Sequence, residues 1–338
     1  MTPTYNVAVL GATGAVGHEF LRLFEDRKFP IKNLKLLASA RSAGKTLKFK
    51  GQDILVEEVT PASFEGVDFA FFSAGAGRSR EFLGHANAAG AVVIDNSSAF
   101  RMEAPLVVPE VNGHVLTGSE LLVANPNCTA AILLMAVSPL RALGTIERLI
   151  VSTYQCASGA GAQAMQELED QTRDVLDGKP AVPKIMPHPY AFNLFSHNTA
   201  INEHGYNDEE WKVILESRKM LEMPDLKVNV TCVRVPVMRT HAESVTIEFA
   251  GPAPSEAAVR AALEAAPGVI VVDDRENNYF PMPVDTSGTD DVRVGRIRQD
   301  ASNPNAICLF ITGDQLLKGA ALNAVQIAEH LIGLRAVV

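Results

Sequence analysis

The apolar residues of this chain fall into short runs that alternate with amphipathic stretches. Near the N-terminus, the runs at 5–10, 34–38, 67–72 and 91–95 are short and rich in Val, Leu, Ile and Phe, which is typical of buried strands. The intervening stretches, such as residues 79–89, have helical spacing. Strands that alternate with helices predict a doubly wound parallel sheet of the α/β class.

The rest of the chain continues this alternation. Strands are predicted at 121–124, 149–156, 228–235, 244–249 and 307–312, and helices at 129–141, 162–176 and 315–334. The chain has 338 residues, which favours two domains of about 150 residues each.

Composition and charge argue against several classes of protein. The net charge is −9 and no basic face is predicted, which argues against nucleic acid as the main partner. No apolar stretch approaches the roughly 20 residues of a membrane span, and the first residues lack the charged start of a signal peptide. The four cysteines lack C-x-x-C spacing, so we expect a cytoplasmic protein without disulfides or a zinc site. His188, His197 and His204 match no metal motif and are interpreted as structural or surface residues.

A glycine-rich loop separates the first strand from the first helix. Its spacing is G-x-x-G-x-x-G, with glycines at Gly11, Gly14 and Gly17. Glycines in this context let the backbone approach a pyrophosphate, and the helix N-terminus faces its charge. The loop predicts a dinucleotide site, although glycine turns also join strands to helices without any chemical role.

The end of the next strand helps to identify the nucleotide. Ser39, Arg41 and Ser42 follow this strand, where an NAD site usually has Asp or Glu for the ribose hydroxyl. An arginine between two hydroxyl groups suits a 2′-phosphate instead, so we predict NADP. The alternative is a solvated turn.

A candidate nucleophile lies between the run at 121–124 and the helical pattern at 129–141. Cys128 would be at a helix N-terminus, where backbone N–H groups and the helix dipole favour the thiolate. We predict that Cys128 attacks an acyl group. The alternative is a small buried cysteine that only fills space.

Other reactive side chains are spread along the chain. His241 is a candidate proton partner for the cysteine. Arg101 follows a strand end and is either an anion ligand or a solvated residue. Glu209 and Lys212 share one helix face and by themselves would form an ordinary ion pair. A second glycine-rich helix start, at 158–161, either binds the nicotinamide or makes a tight turn.

Together and in order, these segments resemble aspartate-β-semialdehyde dehydrogenases along essentially the whole chain. The segments that carry the resemblance are Gly11-Ala12-Thr13-Gly14-Ala15-Val16-Gly17, Ser39-Ala40-Arg41-Ser42, Asn96-Ser97-Ser98-Ala99-Phe100-Arg101, Asn125-Pro126-Asn127-Cys128, Gln155 before Ser158-Gly159-Ala160-Gly161, Glu209 with Lys212, Arg234-Val235-Pro236-Val237 before His241, and Lys318-Gly319-Ala320-Ala321. Gln315 is a departure, because many relatives have Asn there in contact with the nicotinamide amide.

The resemblance implies a role for each matching residue. Cys128 would be the nucleophile, His241 the acid/base and Gln155 the residue that orients the acyl intermediate. The implied substrate ligands are Asn127, Arg234 for the carboxylate, Glu209 for the ammonium group, and Arg101 with Lys212 for the phosphate. The implied NADP ligands are Gly11, Thr13, Gly14, Ala15, Val16, Ser39, Arg41, Ser42, Ser73, Ala74, Gly75, Ser158, Gly159, Gly161 and Gln315.

The same resemblance implies a Rossmann domain at 1–127, completed by a C-terminal helix at 315–338, and an α/β (α+β) catalytic and dimerisation domain at 128–314. The implied reaction is the reversible, NADPH-dependent reductive dephosphorylation of L-4-aspartyl phosphate to L-aspartate-4-semialdehyde, through a thioacyl group on Cys128. The product leads to lysine (through diaminopimelate), methionine and threonine, and we expect a homodimer or homotetramer. The alternatives are an N-acetyl-γ-glutamyl-phosphate reductase and a non-catalytic NADP-binding homologue.

Overall fold

The computed structural model describes residues 3–336. The strands are β1 (Tyr5–Leu10), β2 (Ile31–Ala38), β3 (Thr46–Phe49), β4 (Gln52–Glu58), β5 (Phe69–Phe72), β6 (Val92–Asp95), β7 (Leu122–Ala124), β8 (Ile146–Gln155), β9 (Phe195–Ser196), β10 (Lys227–Arg234), β11 (His241–Phe249), β12 (Val269–Val271), β13 (Val292–Gln299) and β14 (Ala306–Gly313). The helices are α1 (Ala15–Asp26), α2 (Ala76–Ala88), α3 (Pro109–Asn112), α4 (Cys128–Val137), α5 (Ala162–Leu176), α6 (Asp208–Met220), α7 (Glu256–Glu264), α8 (Pro283–Thr286) and α9 (Leu322–Arg335).

The chain divides into two compact units. The first holds Met1–Asn127 and Ala320–Val338, and the second holds Cys128–Gly319. No helix within residues 3–336 is long and apolar enough to cross a membrane.

The first unit is built on a sheet of seven strands in the order β3-β4-β2-β1-β5-β6-β7. All neighbouring pairs are parallel except β3 with β4. The rings of Phe20, Phe24, Phe29 and Phe71 pack between α1 and the sheet with centroids 5.0 to 6.1 Å apart. The doubly wound sheet predicted from the sequence is confirmed.

The second unit has a mixed sheet in the order β12-β13-β14-β11-β8-β10-β9. β8 is parallel to β10 and antiparallel to β11. This register pairs Gln155 with Arg234 and places His241, the first residue of β11, at the same edge of the sheet. The helix α4 is apolar on every face and packs against this sheet, as expected of a buried helix.

The start of the C-terminal helix differs from the prediction. The sequence predicted one helix over 315–334 that completes the first domain. In the structure, Leu317–Ala321 forms a π turn before α9, and the beginning of the predicted range belongs to the second unit. The physical reason is that the amide of Gln315 bonds to Thr240 and Ser158 of the second unit.

Candidate active site

Cys128 is the first residue of α4, in the second unit. Its thiol is half-buried, and Sγ lies 3.4 Å from Nε2 of His241. A Cβ on Gly319 would lie only 2.8 Å from the Cβ of Cys128, so glycine is required where the chain passes the thiol. The candidate nucleophile and the candidate histidine are therefore in direct contact.

The protonation of His241 is set by the backbone. The N–H of Cys156 donates to Nδ1 of His241 at 3.1 Å. Because a backbone N–H can only donate, Nδ1 is the acceptor and the neutral ring carries its proton on Nε2, which faces Cys128. Burial, reinforced by the charge of Arg234, lowers the pKa of His241 to about 3, so the ring is neutral at pH 7.

Cys156 also contacts this ring through its side chain. Its Sγ lies 3.2 Å from Nδ1 of His241 and 3.2 Å from Oγ of Ser158. Burial raises the pKa of Cys156 to about 11, so it remains a thiol. Sequence reasoning missed this residue, and the only available signal was its position directly after Gln155.

Gln155 links the end of β8 to the first turns of α4 and α6. Its Nε2 donates to Oγ1 of Thr129 at 2.8 Å and to Oε1 of Glu209 at 3.1 Å. The other oxygen of Glu209 lies 3.6 Å from Nζ of Lys212. Glu209 is only 7% exposed, so its contact with Lys212 is not an ordinary solvated ion pair.

Arg234 is held from inside the protein. Its Nη1 donates to the carbonyl of Cys156 at 3.2 Å, and its Nη2 donates to Nε2 of His197 at 2.8 Å. Because arginine cannot accept a hydrogen bond, His197 carries its own proton on Nδ1, which donates to Oγ1 of Thr199 at 3.2 Å. Burial, followed by the charge of Arg234, lowers the pKa of His197 to about 4.

His197 therefore supports a predicted site residue from behind, which agrees with the structural alternative of the sequence interpretation and not with the surface one. His188 and His204 are exposed, but His197 is buried. The reason is that β9 pairs with the end of β10, with Phe195 opposite Arg234. A strand of two residues has no periodic pattern in the sequence that could have predicted the pairing of β9 with β10.

The second glycine-rich segment packs against the same histidine. A Cβ on Gly159 would lie 3.1 Å from Cε1 of His241 and 3.2 Å from Nη1 of Arg234. Gly161 has a φ of +93° and precedes α5. The hydroxyl of the neighbouring Ser158 accepts from the amide of Gln315.

The first unit contains the predicted dinucleotide loop. This loop and the end of β2 line a pocket of about 220 Å³. The lining residues are Leu10, Gly11, Thr13, Gly14, Ala38, Ser39, Arg41, Ser42, Val59, Ser73, Ala74 and Arg78. Gly11 has a φ of +92°, and a Cβ there would lie 2.3 Å from the carbonyl oxygen of Ser73. The lining has two arginines and several hydroxyl groups but no carboxylate, which suits a phosphate-bearing ligand.

Several predicted cofactor and substrate ligands in the first unit do not line this pocket. Ala15 and Val16 begin α1, and Gly75 precedes α2. Arg101 donates through Nε to the carbonyl of Asn125 and through Nη2 to that of Asn96, both at 3.0 Å, so it is anchored. Asn127 is buried.

The second unit thus brings together several of the predicted residues. They are Cys128, Gln155, Glu209, Arg234 and His241, with Lys212 beside Glu209 and Gly159 against His241 and Arg234. Arg101, Asn127 and the first glycine-rich loop belong to the first unit.

The two buried histidines predict a sensitivity of the second unit to acid. Burial lowers the pKa of His197 to about 4, below the ~6.5 of an unfolded histidine. Below about pH 6.5, His197 therefore binds a proton in the unfolded chain but not in the folded unit. The free energy of unfolding falls as the pH falls. His197 should reduce the free energy of unfolding by about 2 kcal/mol between about pH 6.5 and pH 5.

Urea unfolding followed by the fluorescence of Trp211 measures this effect. Burial raises the pKa of Glu243, which acts in the opposite sense, so the comparison must be between variants. His197→Gln should lose acid sensitivity relative to the wild type, whereas the exposed control His188→Gln should keep it. Equal acid sensitivity in the two variants would contradict a neutral, buried His197.

Two family models match the chain. The one described as "Semialdehyde dehydrogenase, NAD binding domain" matches residues 6–119. The one described as "Semialdehyde dehydrogenase, dimerisation domain" matches residues 137–318.

Full-length relatives agree with these matches. An aspartate-semialdehyde dehydrogenase of Synechocystis sp. is 52% identical over 334 residues, which covers 98% of each chain. The crystal structure of aspartate semialdehyde dehydrogenase II from Vibrio cholerae, complexed with ASA, is 41% identical with a TM-score of 0.94, covering 98% of this chain and 99% of that one. The aspartate semialdehyde dehydrogenase of Candida albicans, solved with NADP, is 25% identical with a TM-score of 0.76, covering 99% and 100%. This chain belongs to the aspartate-semialdehyde dehydrogenase family.

Proposed function

We propose that this chain converts L-4-aspartyl phosphate to L-aspartate-4-semialdehyde and phosphate, reversibly and with NADPH as reductant. The observation that carries the proposal is the 3.4 Å approach of Sγ of Cys128 to Nε2 of His241 at the N-terminus of a buried helix. The Synechocystis sp. and Vibrio cholerae relatives support this substrate, since one is named for the aldehyde and the other was solved with ASA. The product would supply lysine (through diaminopimelate), methionine and threonine biosynthesis.

Cys128 is the nucleophile in this proposal. Two groups stabilise its thiolate: the positive end of the α4 dipole and the Nε2–H of His241. A helix dipole contributes about 0.3–1 kcal/mol, whereas a hydrogen bond to a charged group contributes about 1.5–3 kcal/mol. The hydrogen bond from His241 therefore stabilises the thiolate more than the helix dipole does.

The bonds and charges of the proposed reaction can be accounted for without any transfer of the His241 proton. The Cys128 thiolate attacks the acyl carbon, so that the C–S bond forms, the C–O bond to phosphate breaks, and phosphate leaves. NADPH, when bound, supplies the hydride that reduces the resulting thioester. The alkoxide on the former carbonyl carbon then expels the Cys128 thiolate, which releases the aldehyde.

In this proposal His241 acts as a hydrogen-bond donor, and the acid/base role that the resemblance implies stays a prediction. Its Nε2–H stabilises the negative charge on Cys128 before attack and again when the thiolate is expelled. A second proton on Nδ1 would face the backbone N–H of Cys156, and burial opposes a charged ring. The site is therefore organised to stabilise an anion with a neutral donor.

The substrate is held by charges that match its own. We assign its carboxylate to Arg234, whose Nε has no hydrogen-bond partner within residues 3–336, and its ammonium group to Glu209. Gln155 orients the acyl group through Oε1, which is buried and accepts no hydrogen bond from the part of the chain that the structure describes. Asn127 also contacts the substrate in this proposal. Arg101 and Lys212 are our proposed phosphate ligands.

The residues of the first unit support NADP as the cofactor. Ser39, Arg41 and Ser42 line the pocket beside the glycine-rich loop, and no carboxylate lines it. The Candida albicans relative was solved with NADP. We assign the 2′-phosphate to Arg41 and the two serines.

We also infer that the chain assembles with copies of itself and works in the cytoplasm. The family model matching residues 137–318 is described as a dimerisation domain, which supports a homodimer or a homotetramer built from dimers. All four cysteines are free thiols, as expected in a reducing compartment.

Replacing the nucleophile should abolish the reaction. In Cys128→Ala, NADPH formation from L-aspartate-4-semialdehyde, NADP and phosphate should fall by at least about 10³-fold, because no covalent route remains. Cys308→Ser is the matched control and should retain phosphate-dependent turnover. If turnover survives in Cys128→Ala, the substrate assignment stands but Cys128 is not the nucleophile.

Replacing Arg41 should weaken the preference for NADP. In Arg41→Ala, kcat/KM should fall about 10- to 100-fold with NADP and change little with NAD, because a charge-assisted contact to the 2′-phosphate is lost. Lys45→Ala removes a nearby exposed charge that does not line the pocket, and should not alter the preference. The NADP assignment to Arg41 fails if both variants keep the wild-type ratio.

A further inference from the structure

The side-chain amide of Gln315 is already bonded inside the second unit. Its Oε1 accepts from the backbone N–H of Thr240 at 2.9 Å, and its Nε2 donates to the hydroxyl of Ser158. Because the Thr240 N–H can only donate, the orientation of the amide is fixed. The side chain is 2% exposed. One acceptor and one donor of this amide are thus committed to the protein.

Thr240 has an unusual backbone conformation. It directly precedes His241 and has a φ of +79°, in the left-handed region. This region is uncommon for any residue with a Cβ, and a β-branched residue there is an outlier. Such a conformation persists only where its surroundings hold it.

Among the described residues, two side chains hold Thr240. The first is Gln315, through the backbone N–H. The second is Ser287, whose Oγ lies 2.9 Å from Oγ1 of Thr240. The Ser287 hydroxyl donates to the carbonyl of Pro283 at 2.8 Å, so the Thr240 hydroxyl is the donor of the pair. Ser287 also lies within hydrogen-bond distance of the carbonyl of Arg239, at 3.3 Å, so both side chains bond to the peptide group that precedes the Cα of Thr240. Gln315 makes the shorter of these two backbone contacts, at 2.9 Å, and acts on φ through it.

The Gln315 amide joins the two segments that determine the position of the His241 ring. One is Thr240, through which the chain enters β11. The other runs from Cys156, which donates to Nδ1 of His241, to Ser158, which accepts from Gln315. Gln315 is thus connected to the His241 ring through both segments.

We propose that Gln315 is a positioning residue that holds Thr240 in its left-handed conformation and so fixes Nε2 of His241 against Sγ of Cys128. This inference rests on the proposed function, since it concerns the same pair of residues. It gives Gln315 an action that does not require nicotinamide. Without the amide, Thr240 relaxes and His241 moves away from the sulfur.

The test is the rate at which iodoacetamide alkylates Cys128 in the absence of NADP, measured across pH by peptide mass spectrometry. In Q315A, alkylation at pH 7 should be about tenfold slower and the pH profile displaced upward, because the thiolate loses one charge-assisted hydrogen bond. Q299A removes an exposed glutamine of the same unit and should match the wild type.

A second substitution tests the route through Thr240. Glycine adopts a positive φ without strain, so Q315A/T240G should recover to within about threefold of the wild type. Q315A/T240S keeps the Cβ and should stay slow. If Q315A does not fold, Q315N replaces it in the test. This substitution shortens the side chain but keeps the amide, and alkylation of Cys128 should again be slower than in the wild type.

Each remaining outcome overturns a specific claim. Unchanged alkylation in Q315A, or no recovery with T240G, would refute the positioning role. Wild-type alkylation in Q315A together with weaker NADP binding would assign the residue to the nicotinamide instead. If wild-type Cys128 itself reacts no faster at pH 7 than a free cysteine, the proposed function fails and not only the role of Gln315.

Discussion

The site depends on one hydrogen bond, from the backbone N–H of Cys156 to Nδ1 of His241. Because a main-chain N–H cannot accept, this bond leaves the ring proton on Nε2, which faces Cys128. The ring is fully buried, and burial lowers its pKa to about 3, so an imidazolium beside the sulfur is disfavoured. The arrangement favours a neutral donor next to an anion. In the proposed chemistry, His241 therefore stabilises charge on sulfur, and no step requires it to accept a proton.

The sheet of the second unit explains why residues distant in sequence meet in this way. β8 lies between β10 and β11, so its end presents Gln155 and the Cys156 N–H on one edge. β10 runs parallel to β8 and β11 runs antiparallel to it, so one ends and the other begins at that edge, with Arg234 and His241. Close packing then requires glycine where Gly159 approaches the histidine ring. Topology sets which residues meet, and backbone hydrogen bonds set which of their atoms face each other.

The sequence predicted much of this structure, but not all of it. Apolar periodicity and the glycine-rich loop predicted the doubly wound sheet, because burial and turn geometry leave a local signal. The contacts of His197 and Cys156 left no such signal, since both arise from tertiary hydrogen bonds between distant segments. The same holds for Gln315: its apolar neighbours predict a helix, while its amide bonds to the second unit. Residue types indicated the chemistry, and only the fold shows which proton faces which atom.

The central claim is that His241 is neutral and carries its proton on Nε2. It is tested most directly by ¹⁵N NMR of the ring nitrogens in protein labelled at histidine, with the His241 signals assigned by their loss in His241→Gln. From about pH 5 to about pH 8, Nδ1 should resonate as an unprotonated nitrogen and Nε2 as a protonated one, without titrating. An imidazolium at pH 7, or a neutral ring with its proton on Nδ1, would contradict this claim.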